Sequence, residues 1–205
     1  MAKMSSKFFC GNMGIVSGHS KWSTIKRDKA VNDSKKSQIF TKLTRALTVA
    51  AKKGADPETN ASLRLAVEKA RSARMPKENI ERAIQKGSGG GEGTQFEEVV
   101  YEGYGPEGVA FYIRALTDNR NRTVAEIRNI FNKHEGSLSG IGSTAYIFSD
   151  PENPSFEIEV LNAKKAQAVF DLVEALEDHD DVSEVYSNVK VSDEIINKFL
   201  AVNSL

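Results

Sequence analysis

The chain has 205 residues, of which 28 are basic and 28 acidic, so its formal net charge is zero. Apolar residues make up 40% and charged residues 27%, which is ordinary for a globular protein and excludes collagen, a coiled-coil array and full disorder. The apolar runs fall far short of the ~20 residues of a membrane-spanning helix. The single cysteine, Cys10, excludes an internal disulfide framework and a multi-cysteine zinc site.

The zero net charge conceals a division of the chain at Lys86. Residues 1–86 carry 19 Lys and Arg against 7 Asp and Glu, a net charge of +12, whereas residues 87–205 have a net charge of −12. A basic half of this size indicates a nucleic-acid partner. The alternative is that the two halves pack on each other and their charges cancel.

The basic half is predicted to begin with a disordered extension, residues 1–16, followed by a helical domain with an N-terminal arm, residues 17–87. Ile39, Leu43, Leu47 and Ala50 recur on one face of the first helix, which Gly54 ends. The second helix is predicted to start at Asp56-Pro57-Glu58, because Asp is a good N-cap and Pro suits the first helical position. Pro76 starts the third.

The acidic half is predicted to be an α+β domain, residues 95–191, joined by a Gly-rich linker, residues 88–94, and followed by a tail, residues 192–205. Thr123 and Glu126 have capping-box spacing for one helix, and Asn162 caps another. The element order ββαβ–βαβ predicts helices on one face of a mostly antiparallel sheet. The predicted strands are Phe96–Gly103, Val109–Leu116, Ser143–Phe148, Phe156–Val160 and Val182–Val191.

The sequence offers little for catalysis. The three histidines, His19, His134 and His179, have no Ser or Cys beside them in a nucleophile context, and neither His-Glu-x-x-His nor Cys-x-x-Cys occurs. We therefore expect no enzyme, no cofactor, no catalytic metal and no small-molecule substrate. The acidic run 177–181 is interpreted as a solvated helix end, with weak cation binding as the alternative.

Basic and aromatic residues provide the candidate nucleic-acid site. Cations bind phosphate oxygens, and the single tryptophan, Trp22, can stack on a base or ribose. The alternatives are that Trp22 pins the arm onto the helices, and that Arg120 and Arg122 bridge to nearby carboxylates. The candidate residues are His19, Lys21, Trp22, Lys26 and Lys29 in the arm, Lys35, Lys42, Arg45, Lys52, Arg64, Arg71 and Lys77 in the helices, and Arg120 and Arg122 in the acidic domain.

Eight short segments between residues 17 and 190 resemble, in order, motifs of the YebC/PmpR family, relatives of the mitochondrial translational activator of cytochrome oxidase. The resemblance implies a cytoplasmic, non-enzymatic regulator of gene expression with a basic helical domain followed by α/β domains. The segments are Gly18–Trp22, Phe40–Leu43, Asp56–Asn60, Leu63-Arg64, Met75–Ile80, Tyr101–Pro106, Leu116–Thr123 and Leu176–Val182.

The resemblance leaves three functions open. The first is a DNA-binding transcriptional regulator. The second is a ribosome-associated translational activator that contacts ribosomal or transfer RNA and relieves stalling on proline-rich stretches. The third is a protein-interaction module without nucleic acid.

The chain departs from the family pattern in two places. Seventeen residues precede the Gly18 motif, and only Asp150–Pro154 stands where the family carries another small inserted α/β domain. We therefore expect that inserted domain to be missing.

Overall fold

The computed structural model describes residues 33–89, 96–192 and 195. In the basic half these residues form three helices, α1 (Asp33–Ala51), α2 (Ala61–Ser72) and α3 (Lys77–Ser88). The predicted extension, the arm as far as residue 32, and most of the linker and tail lie outside the described residues.

The three helices pack around a core of aliphatic and alanine side chains. Leu47, Leu63 and Ala70 are completely buried there. Helices α1 and α3 approach closely at Gly87, where a Cβ atom would lie 2.2 Å from the carbonyl oxygen of Thr48. Small residues at such contacts allow three short helices to exclude water from one core.

The start of α2 differs from the prediction. Asp56 closes a turn instead, because its carboxylate accepts a hydrogen bond from the Glu58 amide at 2.9 Å. Asn60 is the N-cap of α2, and its side-chain oxygen accepts from the Leu63 amide at 3.1 Å. The Asn60 amide nitrogen also donates to the carbonyls of Ala50 and Gly54, which joins the end of α1 to the start of α2.

The acidic half folds as α+β, as the element order predicts. Its elements are β1 (Glu97–Tyr104), β2 (Ala110–Thr117), α4 (Arg120–Lys133), β3 (Ser137–Ser139), β4 (Ile158–Val160), α5 (Ala163–Glu177), β5 (Val182–Ser187) and β6 (Val189–Val191). The four-stranded sheet has the order β3-β1-β2-β5 with antiparallel pairing throughout, and β4 pairs in parallel with β6.

Successive side chains of β2 point to opposite faces of the sheet, and each face packs against an apolar layer. Phe111 and Ile113 point to the main core, where they meet Phe131 of α4 and Phe170 of α5. The intervening residues of β2 point to the opposite face, which packs Ile147 and neighbouring aromatic rings. Both long helices therefore cover one face of the sheet, as predicted.

Residues Ser143–Phe148 form turns rather than the predicted third strand, which is Ser137–Ser139. The cause is the buried carboxylate of Glu102. It accepts hydrogen bonds from the amide of Gly142 at 2.8 Å and from the hydroxyl of Thr144 at 2.9 Å. These bonds fold the segment back on the sheet and remove its amides from strand pairing.

Two asparagines set boundaries that the sequence reading placed elsewhere. Asn119, not Thr123, caps α4 by accepting from the Arg122 amide at 3.1 Å. Asn188 interrupts the predicted strand Val182–Val191, because its side chain accepts from the amide of Ala110 at 2.8 Å and the chain then continues as β6.

Candidate nucleic-acid interface

The structure separates the candidate cations into groups with different surroundings. His19, Lys21, Trp22, Lys26 and Lys29 lie outside the described residues, and Lys35 lies in the first turn of α1 without a described side chain. The remaining candidates divide between those that contact the α+β half and those that face solvent.

The candidate cations Lys42, in α1, and Lys52, just after it, contact the α+β half. The Lys42 ammonium donates to the carbonyl of Glu177 at the end of α5, and Lys52 donates to the carbonyl of Phe96 at 2.8 Å. Burial lowers the pKa of Lys42 below its usual value, although the carboxylates of Glu177 and Asp178 oppose that shift. A cation here interacts favourably with the negative end of the α5 dipole.

Arg45 is the most extensively bonded of these cations. Its Nη1 donates to the Asp180 carbonyl at 2.6 Å and to Oδ1 of Asp181 at 2.7 Å. Its guanidinium also stacks over the ring of Phe96, 5.3 Å from the centroid. Arg45 is thus committed to contacts within the chain.

The contacts of Lys42, Lys52 and Arg45 form a junction between the helical half and the α+β half. Asp181 lies at the centre of this junction, and its side chain is only 3% exposed. Its Oδ2 accepts from Nη2 of Arg122 at 2.8 Å and from the hydroxyls of Thr123 at 2.7 Å and Thr117 at 3.2 Å. Burial alone would raise the pKa of Asp181, but the hydrogen bonds and charges of its partners outweigh it and hold that pKa below its usual value. The interpretation of 177–181 as a solvated helix end is therefore wrong for Asp181.

A second contact joins α2 to the sheet. Lys69 donates to Oε1 of Glu184 at 2.7 Å, and Arg114 of β2 donates to the other oxygen of Glu184 at 3.1 Å. We call Lys42, Arg45, Lys52 and Lys69 the docked cations. Arg45 and Lys69 pair with carboxylates of the α+β half, so part of the charge cancellation that the sequence left open as an alternative takes place through these two.

Arg120 and Arg122 both lie in ion pairs within the α+β half. Arg120 holds the carboxylate of Glu97 through Nε and Nη2, the latter at 2.7 Å. Arg122 donates to Asp118 at 2.9 Å as well as to Asp181. Bridges from these arginines to nearby carboxylates were the alternative that the sequence left open. A nucleic-acid contact by either arginine stays a prediction.

Seven described cations of the helical half are exposed, and none of the seven has an ion-pair partner among the described residues. We call them the free cations. They include the candidates Arg64 and Arg71, and five residues that the sequence reading did not select: Lys36, Lys53, Arg74, Arg82 and Lys86. The sequence did not single out these five residues, because whether a cation is exposed and unpaired depends on which carboxylates the fold brings near it.

Arg71 and the candidate Lys77 line the same crevice between α2 and α3. Val67 and Ile80 also line it. Lys77 also lies 3.4 Å from Glu81, one turn along α3, in an exposed pair that holds it weakly.

One group of metal-binding residue types occurs in the described part of the chain. Ligand atoms of Glu126, His179 and Asp181 lie within 4.8 Å of one another. His179 accepts from the Asp181 amide through Nδ1 at 3.1 Å, and its Nε2 lies 3.0 Å from Glu126. Both carboxylate oxygens of Asp181 already accept hydrogen bonds from arginines, Oδ1 from Arg45 and Oδ2 from Arg122.

No helix in the described ranges is long and apolar enough to cross a membrane.

Two family models match successive parts of the chain. The model described as the TACO1/YebC protein N-terminal domain matches residues 20–90, and the model of the TACO1/YebC second and third domain matches residues 96–151. The chain belongs to the TACO1/YebC family.

Individual relatives agree over most of the chain. A protein of Thermotoga petrophila is 41% identical over 91% of this chain and 98% of its own length, and one of Hahella chejuensis is 39% identical over 88% and 98%. Both are named "Probable transcriptional regulatory protein". The crystal structure of a conserved hypothetical protein of Aquifex aeolicus superposes with a TM-score of 0.76 at 34% identity, covering 86% of this chain and 99% of that one.

The alignment with the Thermotoga petrophila relative also shows that internal sequence is missing here. It runs over 249 positions, whereas this chain has 205 residues, so at least 44 positions of the relative have no counterpart. The match to the second and third domains ends at residue 151, inside the short connector Asp150–Pro154. This agrees with the expected loss of an inserted domain.

Proposed function

We propose that the protein is a nucleic-acid-binding regulator of gene expression in the cytoplasm, and specifically a DNA-binding transcriptional regulator. The observation that carries the proposal is the set of exposed free cations on the helical half. The names of the relatives support the regulatory role. The protein acts by binding rather than by catalysis.

The geometry of α2 supports phosphate binding by part of its surface only. Arg64 and Arg71 are seven residues apart, about two turns, so they lie on the same face. Lys69 is five residues from Arg64, which places it about 140° around the helix, where it bonds Glu184. The nucleic acid therefore approaches from the side of α2 that faces away from the acidic half.

Recognition through these cations is led by the phosphate backbone. The free cations are exposed, and among the described residues no carboxylate pairs with them that a phosphate would have to displace. Arginine also suits phosphate, because its planar donors can bond two oxygens at once. Backbone contacts position a protein on its target without reading the sequence, and they make affinity strongly dependent on salt.

The test is a salt titration of binding to duplex DNA by the full chain. If about five phosphates are neutralised, the log–log slope should be near −4 to −5. The double variant Arg64→Gln/Arg71→Gln should make that slope shallower by about 2. The matched control is Arg128→Gln/Lys133→Gln, which removes the same charge from exposed positions of the acidic half and should leave the slope unchanged.

Three outcomes would contradict the proposal. A flat salt response would exclude phosphate-led binding and favour the protein-interaction module. Equal effects of the two double variants would mean that net charge alone matters. Ribosomal RNA co-purifying in a ribosome-sized particle, with weak binding to promoter DNA, would move the function to the translational activator.

A further inference from the structure

A second surface of the helical half differs from the free cations of α2 in having aromatic walls. It is a groove of about 580 Å³ between the first half of α1, the last turn of α3 and Phe96. This volume lies within the ~300–1,000 Å³ of small-molecule pockets. Its lining includes Lys36, Phe40, Arg45 and Lys86, and none of the described residues that line it is acidic.

The charge in the groove comes from two free lysines. Lys36 and Lys86 are exposed, and neither has an ion-pair partner among the described residues. Arg45 also lines the groove, but Asp181 neutralises its charge. The groove therefore offers two cations on separate helices to an anionic ligand.

The aromatic walls are held in place. Phe96 is partly exposed, and the guanidinium of Arg45 covers part of its ring while Asp181 anchors that guanidinium. Lys52 fixes the backbone of Phe96 through its carbonyl. Phe40 is also partly exposed and packs against the helical core. A ring that is ordered before binding loses little conformational entropy when a ligand stacks on it.

From these features we propose that the groove binds an unpaired nucleotide of a single-stranded nucleic acid. The base stacks against the phenylalanines, and the flanking phosphates contact Lys36 and Lys86. Positive grooves with aromatic platforms bind single strands in this way, whereas the bases of a duplex stay stacked inside it. The proposal rests on the proposed function and adds the strand state that this part of the surface selects.

The experiment compares a fluorescent 12-nucleotide oligothymidylate with a labelled 12-base-pair duplex, using the full chain. Lys36→Gln/Lys86→Gln should weaken single-strand binding about tenfold more than the control Lys53→Gln/Arg82→Gln, which removes two free cations outside the groove. On the duplex the two variants should behave alike. Phe96→Leu should weaken single-strand binding about tenfold, whereas Phe96→Tyr, which keeps an aromatic ring for the base to stack on, should bind like the wild type.

The outcomes separate the two proposals. If the duplex binds with a steep salt dependence and the groove variants match their controls on the single strand, the groove proposal is wrong and the proposed function stands. If neither nucleic acid binds the wild-type chain, both are wrong. Should Phe96→Leu fail to fold, the lysine variants still decide the question, because they alter exposed side chains only.

Discussion

The docked and free cations of the helical half have the same chemistry and opposite surroundings. Arg45 is 18% exposed and bonded to a buried carboxylate, whereas Arg64 faces solvent without an ion-pair partner among the described residues. The net charge of +12 thus combines cations that bond to the α+β half with cations that are exposed to solvent. Charge counted along a sequence measures the sum of the two, and only the fold separates them.

The two sets also differ in what their removal costs. A buried ion pair that loses one member leaves an uncompensated charge or polar group, which is strongly destabilising. An exposed cation without a partner contributes little to stability, so evolution can use it for binding alone.

The largest effect is expected at the centre of the junction. Asp181→Asn should lower the free energy of unfolding by about 3 kcal/mol, because Arg45 and Arg122 lose their shared carboxylate. Urea denaturation measures this change. Asp180→Asn is the control, since only the backbone carbonyl of Asp180 bonds Arg45, and it should unfold like the wild type. Equal stability of both variants would show that the junction is dispensable.

The contribution of Asp181 should vanish in acid. Its folded pKa is below the ordinary 3.8, so both folded and unfolded states are ionised at neutral pH and the contribution is complete. As pH falls below about 4, the unfolded state takes up the proton first and stability is lost. The difference in unfolding free energy between wild type and Asp181→Asn should therefore shrink from pH 5 to pH 2. A constant difference would contradict the assignment.

A smaller effect is expected for the arginines of α4. Arg122→Gln should cost about 1 kcal/mol, since its charged hydrogen bond to Asp181 is lost but the guanidinium is 43% exposed and partly screened. Arg120→Gln should cost less, because its pair with Glu97 is on the surface. Nucleic-acid affinity of the double variant must be measured too. Reduced stability with unchanged affinity would remove both arginines from the candidate site.

The smallest effects on stability compare two cations of α2. Lys69→Gln should cost less than about 1 kcal/mol because its pair with Glu184 is half exposed, and Arg64→Gln should cost nothing measurable. In binding the order reverses. Arg64→Gln should make the salt slope shallower by about 1, whereas Lys69→Gln should leave it unchanged. The reverse result would place the nucleic acid on the side of α2 that faces the sheet.

Local patterns predicted much of the fold. Ala166, Val169 and Phe170 recur at helical spacing in α5 and are buried in the core, and Asn162 caps that helix as expected. Such features depend on residues within a few positions of one another. Boundaries failed where two local signals competed, as at Asp56 and Asn60 or at Asn119 and Thr123, because both members of each pair are good caps.

Composition and short-range periodicity were sufficient to predict the charge division, the helical half and the α+β class. Which cations are free depends instead on contacts that form only when the chain folds. Arg45 meets Asp181 across 136 positions of the chain, and Lys42 meets the Glu177 carbonyl across 135. The turn at Ser143–Phe148 likewise depends on Glu102, some forty residues earlier. A partner at that separation leaves no periodic signal in the sequence, because only folding brings the two groups together.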